Sequence, residues 1–324
     1  MEFKHTFHVF VDNFATTYKL LVYRLIVLAI GVGLSCAVII PTLNTLLSTM
    51  QYEALSETFG NLWADIVALR FDDLGMRLKD VSDAFLSFEH LIEEESLLVG
   101  IAVTCLCFVY LIDRFLVGVG NYVTGALMHD KMVMHANSSF TFTLFKNLKS
   151  ALLYSLVYAP LAFVYDGLCL LIMWAVVSVG LKGFSMTLIK LFLIAVIFLA
   201  TSAIKLTFTT DWLPAMIHGK MNSTCALGYT LSRKGKRTGV VLSNALVLKL
   251  IIFGLNIAAA VFSLGAGLLI TLPGTCLIQV AYNFVNYFDA NRLKYFVDEY
   301  TVIGPKKETP LTREEFFKGE TGEE

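Results

Sequence analysis

Five charged side chains lie inside stretches that are otherwise apolar: Asp113, Arg114, Asp166, Lys205 and Lys249. A charge at bilayer depth is costly, so such residues either pair with one another or mark a route for protons or solutes. Counting roughly 1.5 Å per helical residue, Asp113 and Lys205 fall toward the cytoplasmic side of their stretches. Asp166 falls in the outer half and Lys249 near the middle. Arg114 is long enough to snorkel to the interface. Lys249 is the costliest of the set unless paired, and Asp166 or Asp113 is the carboxylate open to it. Two chemistries follow: ion pairs that fix helix register, or a pathway. Tyr154, Tyr158, Tyr165, Tyr282, Tyr287, Asn256, Asn283 and Asn286 add polar points. Asn283, Asn286 and Tyr287 share a helical face, suited to interhelical hydrogen bonds or to lining a polar cavity.

A second group is basic. His129, Lys131, His218, Lys220, Arg233, Lys234, Lys236 and Arg237 fall in two polar segments, 129–150 and 211–239. Such a face can bind lipid phosphates or a cytoplasmic partner, or simply record the excess of positive charge on cytoplasmic loops. His5 and His8 are spaced to share a metal, but no third ligand stands near them, so no metal or other cofactor is expected. The six cysteines (Cys36, Cys105, Cys107, Cys169, Cys225 and Cys276) show no C-x-x-C or His/Cys ligand spacing and read as small buried hydrophobes. The sequence holds no phosphate-binding glycine loop, G-x-S-x-G elbow or H-E-x-x-H pair. A non-enzymatic role is expected.

The elements that must hold these groups are set by composition. The chain has 324 residues, 56% of them hydrophobic and 16% charged, with mean hydropathy +0.70. Soluble domains are nearer ~45–50% apolar and ~25% charged. An all-α integral membrane protein is expected, and 25 basic against 26 acidic residues exclude a generally basic nucleic-acid binder. A span needs about 20 apolar residues. Leu20–Leu47, Leu97–Val117 (its helix running on toward Met128), Ala151–Gly180, Thr187–Thr210, Val240–Leu269 and Cys276–Phe296 give six. The turn before the sixth contains Pro273-Gly274, with Gly265-Ala266-Gly267 as the alternative. The first block is too long for a signal peptide and lacks an A-x-A site, so it reads as a retained anchor. Lys and Arg alternate between loops as expected for both termini in the cytoplasm (N-in, C-in).

Residues 48–96 then form one extracytoplasmic piece, its core at 51–95 carrying eleven acidic and three basic residues. Leu55, Phe59, Leu62, Ile66 and Leu69, then Leu74, Leu78, Val81, Phe85, Phe88 and Ile92, recur at helical spacing. They predict an acidic helical hairpin whose apolar stripes cover each other, the top of the bundle, a partner protein or a second copy. Residues 1–19 carry Phe3, Phe7, Phe10, Phe14 and Tyr18 on one face and read as an interfacial helix on the inner leaflet. The remaining spans occupy 97–300, and the polar tail 301–324 reads as disordered. A repeat at an offset of 89 residues aligns Ala126-Leu127-Met128-His129-Asp130-Lys131-Met132 with Ala215-Met216-Ile217-His218-Gly219-Lys220-Met221. Its unit would be an inner interfacial helix followed by a transmembrane hairpin, in parallel copies rather than the inverted ones common in transporters.

The stretch Leu213-Pro214-Ala215 with Thr230-Leu231-Ser232-Arg233-Lys234-Gly235 resembles a pattern in six-helix bacterial membrane families, such as the membrane domain of some glycerophosphodiester phosphodiesterases. His218-Gly219-Lys220 stands where those families often carry an acidic residue, and the insert at 51–95 departs from them. No phosphodiesterase domain is present, so that activity does not carry over. The resemblance implies a multi-pass protein of a bacterial inner membrane with an accessory role. The function expected is a partner- or lipid-binding component of a membrane complex. The alternative is a small-solute or ion transporter that uses the intramembrane Asp and Lys residues.

Overall fold

The computed structural model describes residues 2–47, 50–67, 75–77, 79–83, 96–179, 187–233, 235, 237–263 and 265–304. The predicted second helix of the 51–95 hairpin falls mostly outside these residues, as do Lys234, Lys236 and the tail from 305. The described residues form eleven helices and one small sheet. The helices are α1 (Glu2–Asp12), α2 (Thr16–Leu47), α3 (Met50–Val67), α4 (Ser96–Met134), α5 (Phe140–Lys146), α6 (Leu148–Val179), α7 (Thr187–Thr209), α8 (Trp212–Ile217), α9 (Ser223–Ser232), α10 (Thr238–Phe262) and α11 (Leu268–Asn291). β1 (Tyr295–Phe296) pairs antiparallel with β2 (Val302–Ile303). The protein is an all-α, multi-pass membrane protein: α2, α4, α6, α7, α10 and α11 are each long and apolar enough to cross a bilayer.

Two compact units divide the chain, Met1–Val27 with Arg114–Glu324, and Leu28–Asp113. In the larger, α11 is the axis. Over half of its most apolar window is buried (56%), against at most 17% for the other spans. α1, α8 and α10 pack against α11, and α7 lies between α6 and α10. The outward surface is apolar, with Leu156, Trp174, Phe192 and Phe262 all largely exposed, as a bilayer-facing surface requires. Hydroxyls within the spans bond back to the carbonyl four residues earlier, as Thr124, Ser155, Thr207 and Thr210 do. That satisfies them where water is absent. The densest core gathers Met128, Met132, Tyr154, Trp212, Phe284 and Phe288, where α4 and α11 end and α6 begins.

Four expectations are corrected. The turn before the last span is at Gly265, not Pro273-Gly274. Gly265 takes φ +92, a conformation glycine adopts at little cost, and the Gly267 amide donates to Ser263 Oγ. Pro273 lies within the second turn of α11. That last span ends at Asn291, and residues 295–303 return as the small sheet, so the first residues assigned to the tail are ordered. α4 does run on past its span as expected, and it ends at Met134 rather than at Met128. Finally, α1 does not simply lie on a lipid surface. Thr6, Val9, Asn13 and Thr17 are buried at helical spacing, while Phe14 and Tyr18 remain exposed. α1 packs on α11, with Phe10 beside Gly274.

Candidate functional site

The polar groups of the larger unit sort into three places. The first lies within the spans. Lys205 on α7 donates to Asp166 on α6 at 2.7 Å, and Arg114 Nε stands 3.7 Å from the other carboxylate oxygen. The Lys205 ammonium also sits 5.5 Å from the Tyr165 ring centre. The sequence placed Asp166 and Lys205 at different depths. They meet across the packing of α6 on α7. Lys249 bonds neither predicted carboxylate. Its ammonium donates to Gln279 Oε1 at 2.9 Å, an α10–α11 contact. Asp113 falls in the Leu28–Asp113 unit. Sequence reasoning missed Arg24, which donates to Asn121 Oδ1 at 2.9 Å and reaches Cys276 at 3.2 Å, tying α2, α4 and α11. Its position five residues into the first apolar block was the available signal.

The second place is the histidine pair. His129 at the end of α4 and His218 after α8, equivalent in the repeat alignment, lie ring nitrogen to ring nitrogen at 3.2 Å. His218 packs against Phe288 and Tyr287, and His129 against Phe284. Burial pushes the His218 imidazole below its ordinary range. Lys131 is not offered to lipid. It is only 12% exposed and reaches Asp12 on α1 at 3.5 Å and Asn137 at 3.3 Å. These groups act as a clasp between α1, α4 and α8. Lys220 is exposed, in a left-handed conformation (φ 51).

The third place is a small cleft of about 70 Å³, opened between the α7–α8 link, the start of α10 and the end of α11. Arg233, Arg237, Asp211, Thr210, Thr238 and Asn286 supply its polar wall. Arg233 stacks on Tyr229 and donates to Asn291 Oδ1 at 2.7 Å and to the Ala290 carbonyl at 3.0 Å. It thereby caps the carbonyl end of α11 and is held at the rim. Arg237 occupies the N-cap position of α10. Asn286 is 2% exposed. Its amide nitrogen donates to the Tyr282 carbonyl at 2.8 Å, while its Oδ1 has no hydrogen-bond partner among the described residues. Among the described residues no three His, Cys, Asp or Glu side chains converge as a metal site would need, and the six cysteines are free. No family model matches this chain, and no curated protein and no solved structure is detectably similar to it.

Proposed function

We propose that this protein is a non-enzymatic lipid-binding component of a membrane, engaging anionic headgroups through its basic end. The observation that carries this is the gathering of cations at one end of the larger unit. Those within the spans are engaged by neighbouring helices: Lys205 and Arg114 by Asp166, Lys249 by Gln279, and Arg24 by Asn121. Those at the end where α4, α7 and α11 finish include Lys220, which is exposed, and Arg233 and Arg237, which line a cleft while Arg233 also caps α11. A structural role for the first set and a binding role for the second fits this division better than a solute pathway through the bundle. The basic end faces the cytoplasm of a bacterial inner membrane, by the distribution of Lys and Arg along the sequence.

The test is melting of the full-length protein in nanodiscs of phosphatidylcholine with and without phosphatidylglycerol, at low and high salt. The expected result is a higher melting temperature with the anionic lipid, with a gain that shrinks as salt rises. No gain at low salt overturns the proposal. One observation favours a second role, in partner binding. α3 presents Phe59 and Trp63, four residues apart on one face, with nearly half and two thirds of their surface exposed. Replacing 51–95 by a short Gly/Ser linker and comparing pull-downs from native membranes tests it. A protein retained only by the intact chain supports that role, and identical pull-downs remove it.

A further inference from the structure

The two histidines that meet between α4 and α8 have unequal surroundings. His129 Nε2 and His218 Nδ1 stand 3.2 Å apart, with ring centres at 5.4 Å. A contact of that kind between imidazoles needs one hydrogen, so one ring donates and the other accepts. On the far side of His129, Asp130 Oδ1 lies 3.6 Å from Nδ1. The other oxygen of that carboxylate accepts from Ser138 Oγ at 3.2 Å. A carboxylate beside Nδ1 favours a proton there. In the neutral pair His129 Nε2 is therefore the acceptor and His218 Nδ1 the donor. A first added proton is well accommodated. His129, as imidazolium, donates to Asp130 and to His218 at once, while His218 keeps its own hydrogen on Nε2. A second proton has no place. It would put hydrogens on both facing nitrogens and two cations side by side, against Phe284 and Phe288. Among the described residues the other titratable group against the rings is Tyr287 on α11, whose hydroxyl is within electrostatic reach of Tyr229, Arg233 and Asp211. Lys131, two residues beyond His129, is engaged by Asp12.

We infer that His129 and His218 form a proton-sharing clasp, which holds α4 to α8 with no added proton or with one and opens when both rings are charged. The closed pair accommodates one added proton and the separated rings take two. Each fall of one pH unit therefore favours the open form by up to about tenfold. On the sidedness proposed above, the clasp answers to the pH of the cytoplasm. Lys220, exposed at the basic end, follows His218 by two residues and moves with it.

Trp212 reports on α8. It is the first residue of that helix, is 1% exposed, and its ring centre stands 4.9 Å from that of Tyr154. Trp63 and Trp174 are both largely exposed, so Trp63→Phe and Trp174→Phe leave Trp212 as the sole emitter. The full-length protein is studied in phosphatidylcholine nanodiscs between about pH 8 and about pH 4, a range that brackets the imidazole titration. With nitrogen-15 in the histidines, NMR should show the two rings charging in separate steps. Repulsion between rings 5.4 Å apart sets those steps about 2 pH units apart at an effective dielectric constant near 20, and opening narrows the gap. Trp212 emission should hold through the first step and shift to the red with the second. His218→Gln keeps a hydrogen-bonding side chain opposite His129 but takes no proton, so its Trp212 emission should stay in place. His129→Gln should do the same and bring the His218 step up toward the ordinary range. Rings that charge together in a single step overturn the proton sharing. A red shift as large in both Gln variants as in the wild type overturns the clasp. So does an unmoved Trp212 emission in the wild type over the whole range, a result that needs no histidine variant to fold.

Discussion

Replacing Asp166 by Asn removes the one carboxylate that Lys205 and Arg114 share. At 2.7 Å and 3.7 Å the attractions are about 6 and 4.5 kcal/mol at an effective dielectric constant near 20. Much of this offsets the cost of holding the charges out of water. Breaking a fully buried pair costs roughly 3–5 kcal/mol. All three side chains are a quarter to a third exposed, so a loss of roughly 2–4 kcal/mol is the expected net effect. At roughly 2–4 °C per kcal/mol, Asp166→Asn should melt about 5–10 °C below the wild type in detergent. The double change Asp166→Leu with Lys205→Leu should recover most of that, because it leaves one cation to snorkel rather than two beside a neutral amide. Scanning fluorimetry on the purified full-length chain reads both. If Asp166→Asn melts with the wild type, these charges do not hold α6 and α7 together, and a pathway role regains the ground.

Four further outcomes are expected. The His218 imidazole is held below its ordinary range by burial, so the unfolded chain takes up its proton first as pH falls. Stability should therefore drop as pH falls below about 6.5, and His218→Gln should flatten that part of the melting-against-pH curve. A steeper loss in the variant sinks the assignment. Arg292 caps α11 with φ 55 and is exposed, so Arg292→Gly should raise stability by roughly 0.5–1 kcal/mol; a fall shows that its side chain makes a contact worth more than the strain. A side chain at Gly120 meets the Tyr23 ring at 2.5 Å, and that ring is fixed by the bond from its hydroxyl to the Leu116 carbonyl. Gly120→Val should cost roughly 1–3 kcal/mol, seen as a lower melting temperature. Cys225 on α9 is exposed near the basic end, so a membrane-impermeant maleimide should label it in inverted vesicles and not in intact cells. Labelling in intact cells reverses the orientation.

The six spans were legible because each is a continuous apolar run of bilayer length, a signal that survives errors of a few residues at either end. Their ends were less so. Gly265 and Pro273 both mark turns in sequence, and only the backbone shows that glycine takes the left-handed residue while proline is accommodated inside a helix. Partner choice was harder still. Lys249 was expected to seek a carboxylate, yet a neutral Gln279 on the adjacent helix is the group within reach, and no spacing rule joins positions 249 and 279. The His129–His218 contact joins the two positions that the repeat alignment sets as equivalent, so a purely sequence-level comparison named both. Of the cleft, Asn286 was visible as a polar point on the last span and Arg233–Arg237 as a basic run. Their convergence depends on the packing of α10 against α11, which apolar periodicity does not encode.

The lipids that remain with the protein after purification bear most directly on its function. The full-length wild type and a Lys220→Gln, Arg237→Gln variant are extracted from the same membranes in mild detergent, delipidated equally and compared by native mass spectrometry. Retained anionic phosphodiester lipid on the wild type and its loss from the variant is the predicted result. Equal retention by both proteins, or retention of zwitterionic lipid alone, contradicts a lipid-binding function for the basic end.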